Sequence, residues 1–433
     1  MEQIAPRVDL SGTTNSASLR NYIFWSTLIG LFGGLFVIRV PFQLRLFDGV
    51  MVMNLVLMSL FVDLARIPKW VLFLILYLAV SGGIGIGHGT DTLTQVAKEF
   101  LGISVSLLYF CYFFQMIEDD YERAFLAYAK IAFWFAVIAL PLWMGRCLYL
   151  GHYERLQGLT SEPGWFCELV LPATYWYAHQ FFRFRKYGTQ LAVLLVAITL
   201  SSSSLGYLGV AFGAMLLLTE RKRHFIGIPF VAGGLLVLAY TTSSDFRRRA
   251  DDTLLAATTQ DLTGANLSTY ASLSNLFITK QVFQESPIIG NGLGSHPISH
   301  ARFISDLPGV EGFAEMGAAD LNATEGASLA LRSLSELGLI GFLGILLFIA
   351  YFRVGGGGPH GAISNAILIN FVFKLERNGN YFVAEQFFFV LIYVLNYRCH
   401  KLEMTRNRTT SLTQKASHTV FHASSNQGKL DGH

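Results

Sequence analysis

The sequence predicts an all-α polytopic membrane protein of about twelve transmembrane helices with one large external loop. Three observations carry that expectation. Of 433 residues, 52% are hydrophobic and only 14% charged, whereas soluble domains are about a quarter charged. Apolar runs of membrane length recur from residue 22 to residue 397, and in lipid a helix satisfies its own backbone groups. Between the ninth and tenth runs lies a connection of more than 80 residues, too long to be a plain link in a tight bundle.

Taken in order, residues 1–21 are polar and form a cytoplasmic N-terminal segment. The run after them is too long for a signal h-region and has no small-residue cleavage site, so it reads as a retained first span. Apolar runs fall at 22–40, 48–64, 70–87, 100–117, 129–145, 165–182, 189–203, 205–219, 224–242, 334–352, 361–375 and 381–397. Each approaches the roughly 20 residues that cross a 30 Å hydrocarbon core. Ser201 to Ser204 is the expected turn between spans seven and eight. Helices one to nine thus occupy 22–242, the loop 243–325, and helices ten to twelve 326–397. The basic, Ser/Thr-rich tail at 398–433 reads as disordered and able to touch anionic lipid.

Orientation follows from where Lys and Arg collect, because short cytoplasmic loops carry them in excess. The side shared by both termini holds 19, against seven in the short loops of the other side. Both ends are therefore expected in the cytoplasm, and the long loop outside. Within that loop ten acids outweigh Arg247, Arg248, Arg249, Lys280 and Arg302. Leu273 to Glu285 reads as an amphipathic helix closed by Pro287, followed by a turn at Gly290-Asn291-Gly292-Leu293-Gly294.

Several function classes drop out. A net charge of +3 gives no basic footprint for nucleic acid. The four Cys show no paired spacing, which supports neither a disulfide framework nor a zinc site. There is no P-loop, GxGxxG, HExxH or GxSxG, and no Asp-x-Asp pair to hold a metal–nucleotide-sugar. The two halves share no internal repeat, which weakens a carrier reading.

The candidate residues cluster around the external segments. Arg155, followed by Gly158 and the helix start Glu162-Pro163, suits an anionic headgroup, since guanidinium holds phosphate oxygens as a fork; the plain alternative is a snorkelling Arg beside a helix-terminal charge. Arg247, Arg248 and Arg249 lie just past the ninth run, a costly outer position that a phosphate ligand explains; the rival is a cluster marking a cytoplasmic face. His296 and His300 can serve as general bases near neutral pH, though Pro297 between them argues against one helical metal face. Glu325 precedes span ten, where Arg332 and Glu336 stand four residues apart, and such ionisable groups normally face the bundle interior. Asp63, Glu168 and Glu385 read as buried hydrogen-bond partners.

With these stretches in view, residues 150 to 350 resemble the O-antigen ligase/polymerase family of bacterial membrane glycosyltransferases. The resemblance rests on Arg155-Leu-Gln-Gly158-Leu-Thr-Ser-Glu162-Pro163, Ser-rich Leu200 to Gly209, Ser286-Pro287-Ile-Ile-Gly290-Asn-Gly292-Leu-Gly294 and Ser335-Glu336-Leu-Gly338-Leu-Ile-Gly341, ordered around one long loop. Ligase-like members carry a His-Asn pair where this chain reads Ala327-Ser328, an Arg where it has Leu205, and another near Tyr270-Ala-Ser272. These departures favour the polymerase side. The resemblance implies a GT-C-like arrangement that moves a growing glycan from undecaprenyl diphosphate to the sugar hydroxyl of another carrier-linked repeat, outside the cytoplasm. Arg155 and Arg247 to Arg249 would neutralise the leaving diphosphate, and His296, His300 or Glu325 would take the acceptor proton. The diphosphate bond already stores the energy, so no cofactor, ATP or metal is implied. Membrane lipid, a chain-length regulator and export proteins are the implied partners. The close alternative is a ligase to another acceptor; the alternative of a different class is a lipid-linked glycan flippase or carrier.

Overall fold

The computed structural model describes residues 14–33, 37–40, 42–59, 67–219, 244–259 and 265–427, with isolated positions between 233 and 262. In the first part of the chain the helices are α1 (Thr14–Gly30), α2 (Leu46–Ser59), α3 (Lys69–Gly87), α4 (Leu93–Met116), α5 (Tyr121–Leu150), α6 (Pro163–Phe184), α7 (Gly188–Ser201) and α8 (Ser204–Thr219). The long connection folds into α9 (Ser244–Thr259), α10 (Leu267–Glu285), α11 (His296–Phe303) and α12 (Val310–Glu315). Then come α13 (Leu329–Tyr351), α14 (Pro359–Arg377) and α15 (Ala384–Gln427). Four of them, α3, α4, α5 and α13, are long and apolar enough to cross a membrane, and α2, α7 and α8 are shorter apolar helices.

Helices alternate in direction, so their connections gather at two polar ends. At one end Arg20 meets Glu118 at 3.4 Å and the Tyr121 hydroxyl lies 3.0 Å from His360 Nδ1. At the other, the Leu156 N–H donates to the Leu200 carbonyl, Thr90 Oγ1 donates to the Asn291 carbonyl at 2.6 Å, and the Arg45 guanidinium lies 5.5 Å from the Trp165 ring centre. Between the ends runs an aromatic core in which Tyr109, Phe110, Phe113, Phe114, Phe125, Tyr128 and Phe388 are fully or nearly fully buried. Buried hydroxyls there find partners: Tyr128 donates to the Leu169 carbonyl, and Asn54 Nδ2 donates to Tyr109 Oη at 3.1 Å.

Three expectations are corrected. The first apolar run, 22–40, does not stay helical: α1 stops at Gly30, and an antiparallel hairpin pairs β1 (Val37–Val40) with β2 (Phe42–Arg45). Val and Ile extend an apolar helix and a strand alike, and periodicity alone does not separate the two. The expected helix at 273–285 begins earlier, at Leu267, because the Asn266 side chain caps it by accepting from the Thr269 N–H at 3.1 Å. The tail is not wholly irregular, since α15 continues to Gln427. The turn at Ser202 and Ser203 separates α7 from α8 as expected, Ser202 adopting φ 46°. Asp63, most of the run 224–242 and the Arg221 to Arg223 cluster lie outside the described residues.

Candidate functional site

α13 is broken at Gly338, which holds φ 61° and ψ −160°. Into the break fits the turn that follows α10. The Asn291 and Gly292 N–H groups donate to the Ser335 and Glu336 carbonyls, each at 2.9 Å, and the Leu339 and Ile340 N–H groups donate to the Pro287 and Ile288 carbonyls at 2.9 and 3.1 Å. The turn thus takes up backbone groups that the interrupted helix leaves without intrahelical partners. Only glycine fits at the crossing: a Cβ on Gly338 would lie 2.5 Å from Gly290 N and from Ile288, and one on Gly292 would lie 2.6 Å from Gly85 Cα.

The half-helix before the break carries a buried charge centre. Arg332 Nε donates to Glu336 Oε1 at 2.9 Å, its Nη2 lies 3.0 Å from Glu99 Oε2 of α4, and its Nη1 donates to the Gly379 carbonyl at 3.1 Å. The Tyr381 ring lies 4.4 Å from the same guanidinium. One cation therefore faces two carboxylates, and the group is committed within the protein. Asp91, at the start of α4, extends this centre; its carboxyl is pushed up to about 6, by burial and then by Glu336 and Glu99.

Over this centre sits α11. His296 is fully buried, with Nε2 2.8 Å from Asn275 Oδ1 and Nδ1 2.8 Å from Ser335 Oγ. Asn275 Nδ2 donates to the Ala271 carbonyl, so its Oδ1 is the acceptor and His296 Nε2 carries the proton. Burial, then the Arg332 charge, push this imidazole down to about 3, and the neutral ring turns Nδ1 toward the Ser335 hydroxyl, which also meets the Arg332 carbonyl at 3.0 Å. His300, one turn on, is equally buried but makes no hydrogen bond among the described residues; Asp320 Oδ1 stands 3.8 Å from its Nδ1. Burial holds its pKa below the ordinary value, with Asp320 opposing. Glu325 is half-buried and accepts from Asn380 Nδ2 at 3.5 Å. His296, Arg332 and Glu336 are thus brought together, with His300 and Glu325 at the margins.

The predicted phosphate-binding arginines are not brought to this centre. Arg155 donates through Nε and Nη2 to the Ser201 and Ser202 carbonyls, at 3.1 and 3.0 Å. Arg247 does the same for the Tyr240 and Thr241 carbonyls, both at 3.1 Å. Each guanidinium caps the carbonyl end of a helical segment, where such groups need donors. Arg248 is exposed, as is Glu162, which precedes α6 without a side-chain capping bond. The Arg249 side chain lies outside the described residues. Among those residues no group of three His, Cys, Asp or Glu side chains is placed to hold a metal ion.

A second buried centre was not singled out from the sequence. Lys374 Nζ, near the end of α14, lies 2.5 Å from Glu168 Oε1 of α6 and 2.9 Å from Glu385 Oε1 of α15. Asn378 Nδ2 donates to Glu168 Oε2 at 3.2 Å. The segment 378–381 links the two centres, since Asn378 reaches Glu168 while Gly379 and Tyr381 meet Arg332. Its backbone is pressed close: a Cβ on Gly379 would lie 1.6 Å from the Glu325 carbonyl oxygen. Ala327, at φ 58°, and Ser328, whose Oγ accepts from the Leu331 N–H at 3.1 Å, form the turn and cap that start α13.

Compared with family models, with curated proteins and with solved structures, the chain matches none.

Proposed function

We propose that this protein is an inner-membrane glycan polymerase of about twelve spans, with both termini in the cytoplasm and the 243–325 segment outside. One observation carries the reading: two stretches that resemble the O-antigen polymerase family, 286–294 and 335–341, are hydrogen-bonded to each other through the break in α13. Buried ionisable groups at such a break are expensive in a membrane protein and normally serve a polar task.

In this reading the substrates are an undecaprenyl-diphosphate-linked glycan and a carrier-linked repeat unit. His300 is the base among the three candidates, because both nitrogens of His296 are engaged whereas His300, among the described residues, faces only the Asp320 carboxylate. With Nδ1–H turned toward Asp320, Nε2 takes the proton of the acceptor hydroxyl as its oxygen attacks the anomeric carbon. The bond from that carbon to the diphosphate oxygen breaks, and the diphosphate leaves with the electron pair. His300 is buried, so this chemistry requires the helical cap to open. In this reading Arg155, Glu162, Arg247, Arg248 and Arg249 remain the headgroup-side candidates, since guanidinium holds phosphate oxygens as a fork.

The purified protein in nanodiscs, given undecaprenyl-diphosphate-linked repeat units, is expected to yield a ladder of longer glycans. His300→Gln should slow it by about 10²-fold or more, the usual contribution of a general base, and Arg155→Ala should stop it with single repeats unconsumed. A ladder at the normal rate from His300→Gln contradicts the assignment of the base. The broken helix also favours a second reading, a lipid-linked glycan carrier, since carriers build sites at discontinuous helices; movement of labelled lipid-linked glycan across the bilayer without elongation would support it.

A further inference from the structure

The Lys374 centre opens onto a cavity of about 40 Å³ whose polar edge is formed by Arg45, Thr160, Glu168, Asn378 and Glu385, with Trp165 beside them. A water needs roughly 10–15 Å³ measured this way, so the space holds two or three waters and is too small for a whole pyranose ring. Apolar Leu31, Phe47, Leu169 and Val383 line the rest of it, so the polar groups form one edge. Glu168 and Glu385 supply carboxylate oxygens, Asn378 an amide and Thr160 a hydroxyl, while Trp165 gives an apolar side with the Arg45 guanidinium 5.5 Å from its ring centre. Among the described residues Arg45 forms no ion pair with a carboxylate.

From this geometry we infer that the cavity is a sugar-edge subsite, taking two neighbouring hydroxyls of a neutral sugar in place of its waters while the ring rests outside against Trp165. Carboxylates accept from sugar O–H groups, and Arg45 and the Asn378 amide hydrogen not used on Glu168 donate to sugar oxygens. An indole covers the apolar C–H side of a sugar with little conformational cost. Lys374 is the positioning residue: held between Glu168 and Glu385 at 2.5 and 2.9 Å, it fixes both carboxylates at the wall. The ligand class is a neutral oligosaccharide, and the assignment to an acceptor glycan rests on the polymerase reading above.

The test uses the full-length protein in nanodiscs on a glass-printed array of neutral hexose and N-acetylhexosamine oligosaccharides, followed by calorimetric titration of the best-bound oligosaccharide. Wild type should bind, and Trp165→Ala and Arg45→Gln, which touch no ion pair, should each lower affinity at least tenfold with the unfolding temperature unchanged. Absence of binding by wild type, or wild-type affinity in both variants, overturns the subsite. A strain lacking the protein that still makes full-length polymer overturns the polymerase reading, and the array result then decides the subsite alone.

Discussion

Asp91 and His296 stand beside the same buried guanidinium of Arg332 yet respond to acid in opposite senses. His296 is held neutral, pushed down to about 3 from its ordinary 6.5 by burial and then by Arg332. Once exposed by unfolding it takes a proton below about 6.5, so its contribution to stability is full above that pH and is lost as pH falls toward 3. Asp91 acts in the opposite sense. Its carboxyl is pushed up to about 6 from 3.8, so the folded protein binds the extra proton and gains stability as pH falls from about 6 toward 4. Thermal unfolding in nanodiscs between pH 4 and 8 should separate them: His296→Gln flattens the acid loss, while Asp91→Asn is more stable than wild type above pH 6 and matches it near pH 4. Equal pH profiles for all three proteins would contradict the network.

At the scale of elements, the break in α13 and the turn inserted into it form one unit. Gly338→Ala adds a methyl 2.5 Å from the backbone of Ile288 and Gly290 and imposes a left-handed φ on an L side chain. The combined strain and lost backbone bonds should cost about 3 kcal/mol or more. Limited proteolysis should then cut between residues 287 and 303 in the variant and spare wild type; equal protection would contradict the docking of the turn. Parts of this unit were visible in the sequence. Gly290, Gly292 and Gly294 announced a turn and Pro287 a helix end, because these residues change backbone freedom locally. Their insertion into α13 was not visible, since Gly338 in an apolar run resembles any helix-packing glycine. The hairpin at 37–45 was missed for a similar reason: Val and Ile extend an apolar span and a strand alike.

For the whole molecule, alternation of the helices gathers the 85–92, 151–162, 286–328 and 378–383 connections at one end, and that end carries both buried charge centres. The apolar run at 70–87 coincides closely with α3, whereas those at 100–117 and 129–145 mark only the apolar parts of the longer α4 and α5, because hydropathy is a local property and helix ends are set by caps. Glu168 and Glu385 read only as separate hydrogen-bond partners, because only folding brings α6, α14 and α15 to one point. If the charge-bearing end is extracytoplasmic, a periplasm-active reporter fused after Ala257 should be active and a cytoplasm-active one silent. The reverse pattern would place the cap on the wrong side for a lipid-linked glycan substrate.

Gel analysis of surface and carrier-linked glycans in a strain lacking this protein tests the central claim most directly. The account predicts that long polymer disappears, that single carrier-linked repeats accumulate, and that wild type but not His300→Gln restores the ladder. Unchanged long polymer in that strain would contradict it.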